Sequence, residues 1–278
     1  IILGSLASFF IKKKIYLVYA FSGLGTVFIS KGKKAYLRRL LTNNLYKLSL
    51  SNKRKKVIFQ NYDDFNVISK IVPFSPNEFT FIKGSGVNLQ KYKPKKSDRG
   101  LIVLFAARLL TSKGIYDFIN VSKKLNHLAR FAVVGDFDYE NKDCISPKDF
   151  FKYVDNNDIE YWGHSNNMEV TLNKCSLVVL PSIREGMPKI LLEAAASGKP
   201  VVTYDVPGCR EAMIHNKTGY LVPFKKVDYL IRSVEILIKN KSIRDDFGIE
   251  GRLLAEKEFD INIVIKKHLE IYNEFKNK

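Results

Sequence analysis

The sequence predicts an α/β protein with mostly parallel strands, and three features support that prediction. Residues 101–107 form a short, continuous apolar run, which is the pattern of a parallel strand buried on both faces. Similar runs alternate with helix-like periodicity throughout residues 101–222, the order expected of right-handed strand–helix–strand units. A polar stretch rich in helix and strand breakers occupies residues 94–100. We therefore expect two domains, residues 1–96 and residues 97–258.

The first domain contains three predicted strands, and each runs into a loop with glycine, amide or acidic residues. The strands begin near Ile15, Val57 and Phe79 and lead to Gly23, Asn61 and Gly84. Between them, residues 33–50 place apolar side chains at helical spacing with cations interspersed, namely Tyr36, Leu37, Leu40, Leu41, Leu45 and Leu48. Such a helix can lie on a bilayer or pack on the sheet, and we favour packing.

The second domain contains six predicted strands, each a short apolar segment that ends at a polar turn. They begin near residues 101, 131, 159, 177, 201 and 219. Helical periodicity then predicts consecutive helices at residues 227–239, 242–257 and 262–275. Because open parallel sheets bind ligands at the carboxyl ends of their strands, the loops after these strands are the candidate site.

One loop of this kind contains two acids around a predicted helix start. Pro188 suits the first helical position and Gly198 the left-handed cap after the last. The free N–H groups of residues 189–191 would then suit a phosphate. Glu185 precedes the helix and Glu193 lies on its second turn, so the two can accept hydrogen bonds from hydroxyls on either side of a diphosphate. Two solvated acids on a surface helix are the alternative interpretation.

Two cations follow the strand at residues 101–107. Arg108 and Lys113 lie five positions apart at its carboxyl end, where they can clamp a diphosphate. Two solvated loop cations would give the same pattern. After the next strand, Asp136 and Asp138 have the spacing of an Asp-x-Asp metal motif, but we interpret them as loop and turn acids.

These segments together resemble the donor site of retaining glycosyltransferases of the GT-B fold, in family 4. The Glu-x7-Glu spacing of Glu185 and Glu193 carries the resemblance, as does the Arg-Leu-x-x-x-Lys-Gly segment from Arg108 to Gly114. The resemblance implies two Rossmann-like domains and a UDP-sugar as donor substrate, without a metal or another cofactor. It also implies a final helix, in residues 259–278, that crosses back to the first domain.

The resemblance also implies roles for individual residues. Glu185 would meet the donor sugar and Glu193 the ribose, while Arg108 and Lys113 stabilise the leaving diphosphate. Around them, the nucleotide-sugar would contact the helix start and the wall of the base pocket. The residues assigned to that contact are Gly186, Met187, Pro188, Ile190, Leu191, Gly163 and His164.

Three motifs of the first domain resemble one sub-group of that family. They are Gly23-Leu24-Gly25, Phe59-Gln60-Asn61 with Asp63 and Asp64, and Gly84-Ser85-Gly86-Val87-Asn88. The sub-group adds hexoses or N-acetylhexosamines to polyprenyl-diphosphate-linked sugars, which implies a lipid-linked saccharide as acceptor in surface glycan synthesis. The family's first domain begins with further strand–helix units, so we expect this domain to be only partly present.

The charge distribution predicts a membrane surface as a partner. Residues 1–96 hold 19 Lys/Arg and three Asp/Glu, a net charge of +16 out of +18 for the whole chain. Such a field attracts anionic lipid headgroups. Nucleic acid is the rival partner, and we disfavour it because no DNA- or RNA-binding motif accompanies the charge. We expect a cytoplasmic protein, peripheral on the inner face of the plasma membrane.

The remaining composition is that of a globular protein in a reducing compartment. Cys144, Cys175 and Cys209 have no Cys-x-x-Cys spacing, so we interpret them as core or loop residues. Two other functions stay open at this point. The chain can be an inactive or split glycosyltransferase fragment that only binds nucleotide-sugar, or a basic interaction protein.

Overall fold

The computed structural model describes residues 1–11, 15–28, 32–95 and 100–276. These residues form two sheets, and every pair of neighbouring strands is parallel. The first sheet has the order β1-β2-β3 and the second the order β6-β5-β4-β7-β8-β9. The strands are β1 (Leu17–Phe21), β2 (Lys55–Phe59), β3 (Phe79–Phe81), β4 (Ile102–Ala106), β5 (Arg130–Val134), β6 (Glu160–Tyr161), β7 (Leu177–Leu180), β8 (Val201–Tyr204) and β9 (Gly219–Val222). The predicted α/β class with parallel sheets is confirmed.

Ten α-helices connect or flank these strands in the described residues. They are α1 (Ile2–Ser8), α2 (Lys33–Ser49), α3 (Tyr62–Ser69), α4 (Ile115–Leu125), α5 (Pro147–Asp155), α6 (Met168–Lys174), α7 (Lys189–Ala196), α8 (Val227–Lys239), α9 (Lys241–Leu254) and α10 (Ile261–Lys276). A π-helical segment, Ala255–Phe259, joins α9 to α10. Within the described parts of the chain, no helix is both long and apolar enough to cross a bilayer.

The second sheet reverses its strand order at β4 and β7. From β4 the chain proceeds outward through β5 to β6, and then returns to β7 on the other side of β4 before continuing to β8 and β9. All residues of β4, β7 and β8 are buried, which explains why β4 and β7 are continuous apolar runs and why β8 contains a single polar residue, Thr203. A crevice forms where the order reverses, outside the carboxyl ends of β4 and β7. The segment with Arg108 follows β4, and the segment with Glu185 follows β7.

The first sheet packs through aromatic side chains. The rings of Phe21 and Phe59, on neighbouring strands, stack with centroids 5.1 Å apart. Tyr46 of α2 approaches Phe21 with a centroid distance of 5.6 Å. Asn61 caps the next helix, α3, because its side-chain oxygen accepts a hydrogen bond from the Asp64 N–H at 2.7 Å.

Helix α2 packs on the first sheet with the face opposite to the expected one. The face with Ala35, Tyr46 and Ser49 is turned inward, and five of the six apolar side chains expected to pack there are exposed. The expectation of sheet packing is therefore wrong for Tyr36, Leu37, Leu40, Leu41 and Leu48, and Leu45 is half-buried.

The carboxyl-terminal part of the chain returns to the first sheet. The Val87 N–H donates to the Phe259 carbonyl at 2.7 Å, and the Ile261 N–H donates to the Val87 carbonyl at 3.1 Å. Val264 and Ile271 of α10 then pack with Ile58 and Ile82 of the first domain. Some predicted features lie outside the described residues. They are the expected boundary between residues 96 and 97, part of the link at 94–100, and the basic residues Lys12, Lys13, Lys14 and Lys31.

Candidate active site

A cleft of about 690 Å³ opens between loops of the two sheets. The loop after β1 contributes one wall, and the segments after β4, β5 and β7 contribute the other. Residues of the sequence motifs that line it are Gly23, Gly25, Arg108, Lys113, Glu185 and Gly186. The structure therefore brings together four of the predicted site residues, from segments that are far apart in the chain.

Lys113 and Glu185 form the central contact of this cleft. The Lys113 Nζ lies 2.7 Å from both carboxylate oxygens of Glu185. Ser182 is fully buried and donates its hydroxyl to the same carboxylate at 2.7 Å. The side chains of Lys113 and Glu185 are only 21% and 11% exposed, so the pair is held in a fixed geometry. Ser182 was not among the predicted site residues.

A glycine fixes the turn that presents Lys113. Gly114 has φ +81°, the left-handed conformation, and ends the short 3₁₀ turn Thr111–Lys113 before α4. A Cβ at this position would lie 2.1 Å from the Pro181 carbonyl oxygen. The segment after β4 therefore contacts the segment after β7 directly, which places Lys113 beside Glu185.

Arg108 lies at the same mouth and pairs with a different acid. Its Nη1 donates to Asp138 at 2.6 Å, while the Arg108 side chain remains 59% exposed. The neighbouring Asp136 pairs with the exposed His164 ring at 2.6 Å, through Nδ1. Asp136 and Asp138 are thus loop acids with cationic or imidazole partners. Sequence patterns offered no signal for either pairing.

Gly163 and His164 lie at the same edge of the sheet but outside the cleft. The Gly163 carbonyl accepts a hydrogen bond from the Gly135 N–H at 3.0 Å, which ties the loop after β6 to the loop after β5. Gly135 in turn approaches the carbonyl of Ala107, immediately before Arg108. The loops after β4, β5 and β6 are therefore contiguous along one edge.

The start of α7 differs in two details from the expected one. Pro188 is the residue before the helix, with φ −72° and ψ 114°, instead of the first helical residue. The Leu191 N–H donates to the Pro188 carbonyl at 3.0 Å and its side chain is buried, so Leu191 offers no free donor. The N–H groups of Lys189 and Ile190 have no acceptor among the described residues. Two donors, and not three, therefore point out of this helix start.

Glu193 and Met187 lie behind the helix start and do not line the cleft. Glu193 is buried, and its Oε1 accepts the Tyr92 hydroxyl at 2.7 Å. Met187 packs against Gly84, where a Cβ would lie 2.7 Å from the methionine Cγ. The structure places both residues against the first-domain segment after β3.

Gly186 lies in close contact with loops of the first sheet. Its carbonyl accepts the side-chain amide of Asn61 at 2.9 Å. A Cβ on Gly186 would lie 1.7 Å from the Ser22 carbonyl oxygen. Nearby, Arg184 pairs with the buried Asp64. The amide and acids that the sequence showed after β2 therefore act as contacts between the domains.

Further charges span the same contact. Arg210 donates to Asp63 at 2.7 Å and to Asp205 at 2.6 Å. Burial raises the pKa of the neighbouring Glu211 above its usual value, although the Gly208 N–H donates to its carboxylate at 2.8 Å. Burial also raises the pKa of the Cys209 thiol to about 12, so this thiol stays protonated and unreactive at neutral pH.

The two parallel sheets and the charged cleft between them define a class of protein, and comparisons with known proteins identify the class as GT-B. Sucrose-phosphate synthase from Thermosynechococcus elongatus superposes with a TM-score of 0.82 at 18% identity, over 99% of this chain and 72% of that one. HepE from Anabaena, in complex with UDP, gives 0.82 at 18% identity over 98% and 76%. The GT-B fold inferred from the motifs is confirmed.

The family follows from the sequence comparisons. The model of "Glycosyl transferases group 1" matches residues 88–254. An N,N'-diacetylbacillosaminyl-diphospho-undecaprenol alpha-1,3-N-acetylgalactosaminyltransferase of Campylobacter jejuni is 31% identical over 90% of this chain and 68% of its own length. The capsular polysaccharide biosynthesis glycosyltransferase CapM of Staphylococcus aureus is 26% identical over 99% and 74%. The chain belongs to the group 1 glycosyl transferases.

Proposed function

We propose that this protein is a retaining, metal-independent glycosyltransferase of family 4. It transfers a hexose or N-acetylhexosamine from a UDP-sugar to a lipid-linked saccharide in surface glycan synthesis, on the cytoplasmic face of the membrane. One observation carries the proposal. Lys113 and Glu185, 72 residues apart, meet in a cleft between two sheets that Arg108 also lines.

The two cations retain donors for a diphosphate. An ammonium has three N–H groups, and Lys113 directs two of them to Glu185, so one remains. Arg108 gives Nη1 to Asp138, and its guanidinium has further N–H groups on an exposed side chain. Both cations would stabilise the negative charge that develops on the departing UDP. Such stabilisation contributes about 3 kcal/mol per donor.

The other predicted residues surround this centre in the proposed complex. Glu185 would accept hydrogen bonds from the donor sugar, held in place by Ser182 and Lys113. The free N–H groups of Lys189 and Ile190 would bind phosphate oxygens. The base would lie along the edge formed by the loops after β5 and β6, near Gly163 and His164.

Glu193 requires a rearrangement for its proposed role at the ribose. Its Oε1 is occupied by the Tyr92 hydroxyl, and its side chain is almost fully buried. A ribose hydroxyl would therefore bind the second oxygen or replace the tyrosine.

The substrates are proposed from the relatives. The Campylobacter relative is named for transfer to a diphospho-undecaprenol-linked sugar, and the Staphylococcus relative for capsule synthesis. HepE has been solved with UDP and with UDP-glucose. These names support a UDP-sugar donor and a polyprenyl-diphosphate-linked acceptor for this chain.

The test compares two arginines that are both paired with acids. Arg108→Ala removes the cation at the cleft, whereas Arg130→Ala removes one that pairs with Glu160 at the opposite end of the sheet. UDP binding is measured by calorimetry, and sugar transfer to a polyprenyl-diphosphate-linked saccharide by product detection. We expect Arg108→Ala to lower transfer by roughly 10²-fold and Arg130→Ala to leave it unchanged.

Each alternative has a distinct outcome. UDP binding with no transfer from any UDP-sugar would mean a nucleotide-sugar-binding protein without transferase activity. Equal activity of the two arginine variants would reject the assignment of Arg108. Transfer that depends on an added divalent cation would reject the metal-independent mechanism.

A further inference from the structure

Among the described residues, helix α2 leaves its most apolar side chains uncovered. Tyr36, Leu37, Leu40 and Leu41 are 69%, 67%, 48% and 62% exposed. The inward face instead carries Ala35, Tyr46 and Ser49 among its packed residues. Since a helix on a sheet normally buries its apolar stripe, this arrangement is the reverse of the usual one.

The charge around that stripe has a single sign. The 17 residues of α2 include five cations, Lys33, Lys34, Arg38, Arg39 and Lys47, and no acid. The surrounding sequence is similar, because residues 1–62 hold 13 Lys/Arg and no Asp or Glu. Apolar side chains accompanied by cations and by no acid are typical of helices that lie in the interface of an anionic bilayer.

We propose that the outward face of α2, formed by Tyr36, Leu37, Leu40 and Leu41, inserts into the surface of a bilayer that contains anionic lipid. Charge complementarity selects this occupant. A second copy that docked through the same face about a two-fold axis would bring two identical cationic helices together. Anionic headgroups neutralise those cations while the acyl boundary receives the leucines.

The position of α2 links this surface to the cleft. The loop with Gly23 and Gly25 lines the cleft, and it continues into the 3₁₀ turn Gly25–Phe28, which packs on α2. The Phe28 ring lies 6.4 Å from that of Tyr46. Docking through α2 therefore brings one wall of the cleft close to the headgroups, where a lipid-linked diphosphate would lie. Only this link rests on the proposed function; insertion of α2 does not.

Vesicle co-sedimentation of the whole chain tests the proposal. The vesicles are phosphatidylcholine, either pure or with about one-third phosphatidylglycerol. Leu37→Glu/Leu41→Glu is compared with Ile249→Glu/Leu253→Glu on α9, whose side chains are 61% and 52% exposed. We expect binding to the anionic vesicles by the wild type, and by the α9 variant, and loss of binding in the α2 variant.

A second pair of variants separates the charge contribution. Lys33→Ala/Lys34→Ala is expected to weaken binding roughly thirtyfold, from about fivefold per cation near an anionic surface. The control Lys266→Ala/Lys267→Ala, on exposed residues of α10, removes the same charge and is expected to have a much smaller effect. UDP binding is measured in parallel and is expected to be unchanged in all four variants. Loss of vesicle binding with intact UDP binding therefore concerns the membrane proposal alone.

Several outcomes would overturn the proposal. They are equal vesicle binding by the α2 and α9 variants, equal weakening by both lysine pairs, and no binding of the wild type to anionic vesicles. A dimer in light scattering that Leu37→Glu dissociates, without vesicle binding, would instead identify a second copy as the occupant. If the α2 variant fails to fold, an environment-sensitive dye on Leu37→Cys, in a chain with Cys144→Ser, must shift to the blue with anionic vesicles. The same dye on Ile249→Cys in that background must not.

Discussion

Replacing Lys113 by methionine and Glu185 by glutamine is expected to change UDP affinity in opposite directions. The two groups form one ion pair, with Nζ 2.7 Å from both carboxylate oxygens. A diphosphate in the cleft is attracted by the cation and repelled by the carboxylate. If the pair were only structural, either change would act through stability alone.

The magnitudes follow from the geometry. Two unit charges about 4 Å apart interact by about 4 kcal/mol at an effective dielectric constant near 20. Screening in an open cleft reduces this to about 2 kcal/mol, so Lys113→Met should weaken UDP binding roughly thirtyfold. Glu185→Gln should strengthen it by up to roughly tenfold, because it removes the repulsion and keeps an acceptor for Ser182. Lys113→Met should also lower the free energy of unfolding by about 2 kcal/mol, since it leaves a part-buried carboxylate with a single hydroxyl partner.

The assay is calorimetric titration with UDP on both single variants and the double variant, with urea unfolding of each. A double-mutant cycle separates the pair's coupling from its separate effects on UDP. Transfer is measured alongside, and Glu185→Gln should slow it roughly 10²-fold despite tighter UDP binding, because the sugar loses its charged acceptor. Equal weakening of UDP binding by both variants would refute the reasoning, as would no change in either.

Three further predictions concern the surroundings of the cleft. Gly186→Ala should push the two sheets apart, because its Cβ would lie 1.7 Å from a backbone carbonyl oxygen of the loop after β1. The rate of sugar transfer should fall, and the free energy of unfolding measured in urea should drop by about 2 kcal/mol. Arg184→Met should lower the free energy of unfolding by about 3 kcal/mol, because it leaves the buried Asp64 carboxylate without its cationic partner. Adding Asp64→Asn should recover part of that loss. Tyr92→Phe should cost about 2 kcal/mol by removing the hydrogen bond to Glu193. Burial and, secondarily, the neighbouring Glu193 raise the pKa of Tyr92 in the folded protein. Since the unfolded tyrosine ionises above about pH 10, the free energy of unfolding of the wild type should fall as the pH rises through that range. Tyr92→Phe should show a smaller fall, measured by urea unfolding at each pH.

The strands of the second sheet could be predicted because burial on both faces leaves a direct trace in the sequence. Every residue of β4, β7 and β8 is buried, and β4 and β7 are runs without a polar residue, whereas β8 contains the buried Thr203. The helix at residues 227–239 was predicted to the residue, since its apolar positions repeat with helical spacing.

The face of α2 could not be predicted in the same way. Periodicity shows which residues share a face of a helix, but not which face contacts the sheet. Here the contact is set by Tyr46, which packs against the aromatic first sheet, and by Ser49, whose carbonyl accepts the buried hydroxyls of Ser5 and Tyr19. These partners are distant in sequence and belong to common residue types, so no local sequence pattern predicts the contacts.

The partners within the site were hidden for the same reason. Arg108 and Lys113 were identified by their position after a strand, yet their acids, Asp138 and Glu185, lie on other loops. Glu193 meets Tyr92 across 101 positions of sequence. A motif specifies which residue types reach the sheet edge, whereas the packing of whole loops decides which of them touch.

The double passage of the chain between the sheets restricts how the cleft can open. The backbone joins them once after β3, and once more where Val87 exchanges hydrogen bonds with Phe259 and Ile261. These two crossings are hydrogen-bonded to each other, so they form one connection beside the cleft. The contacts that Gly186, Arg184 and Arg210 make between the sheets must break before the sheets can separate. We therefore expect the cleft to open mainly by rotation about the connection near Val87, and we expect a chain cut after Phe259 to lose part of that restriction.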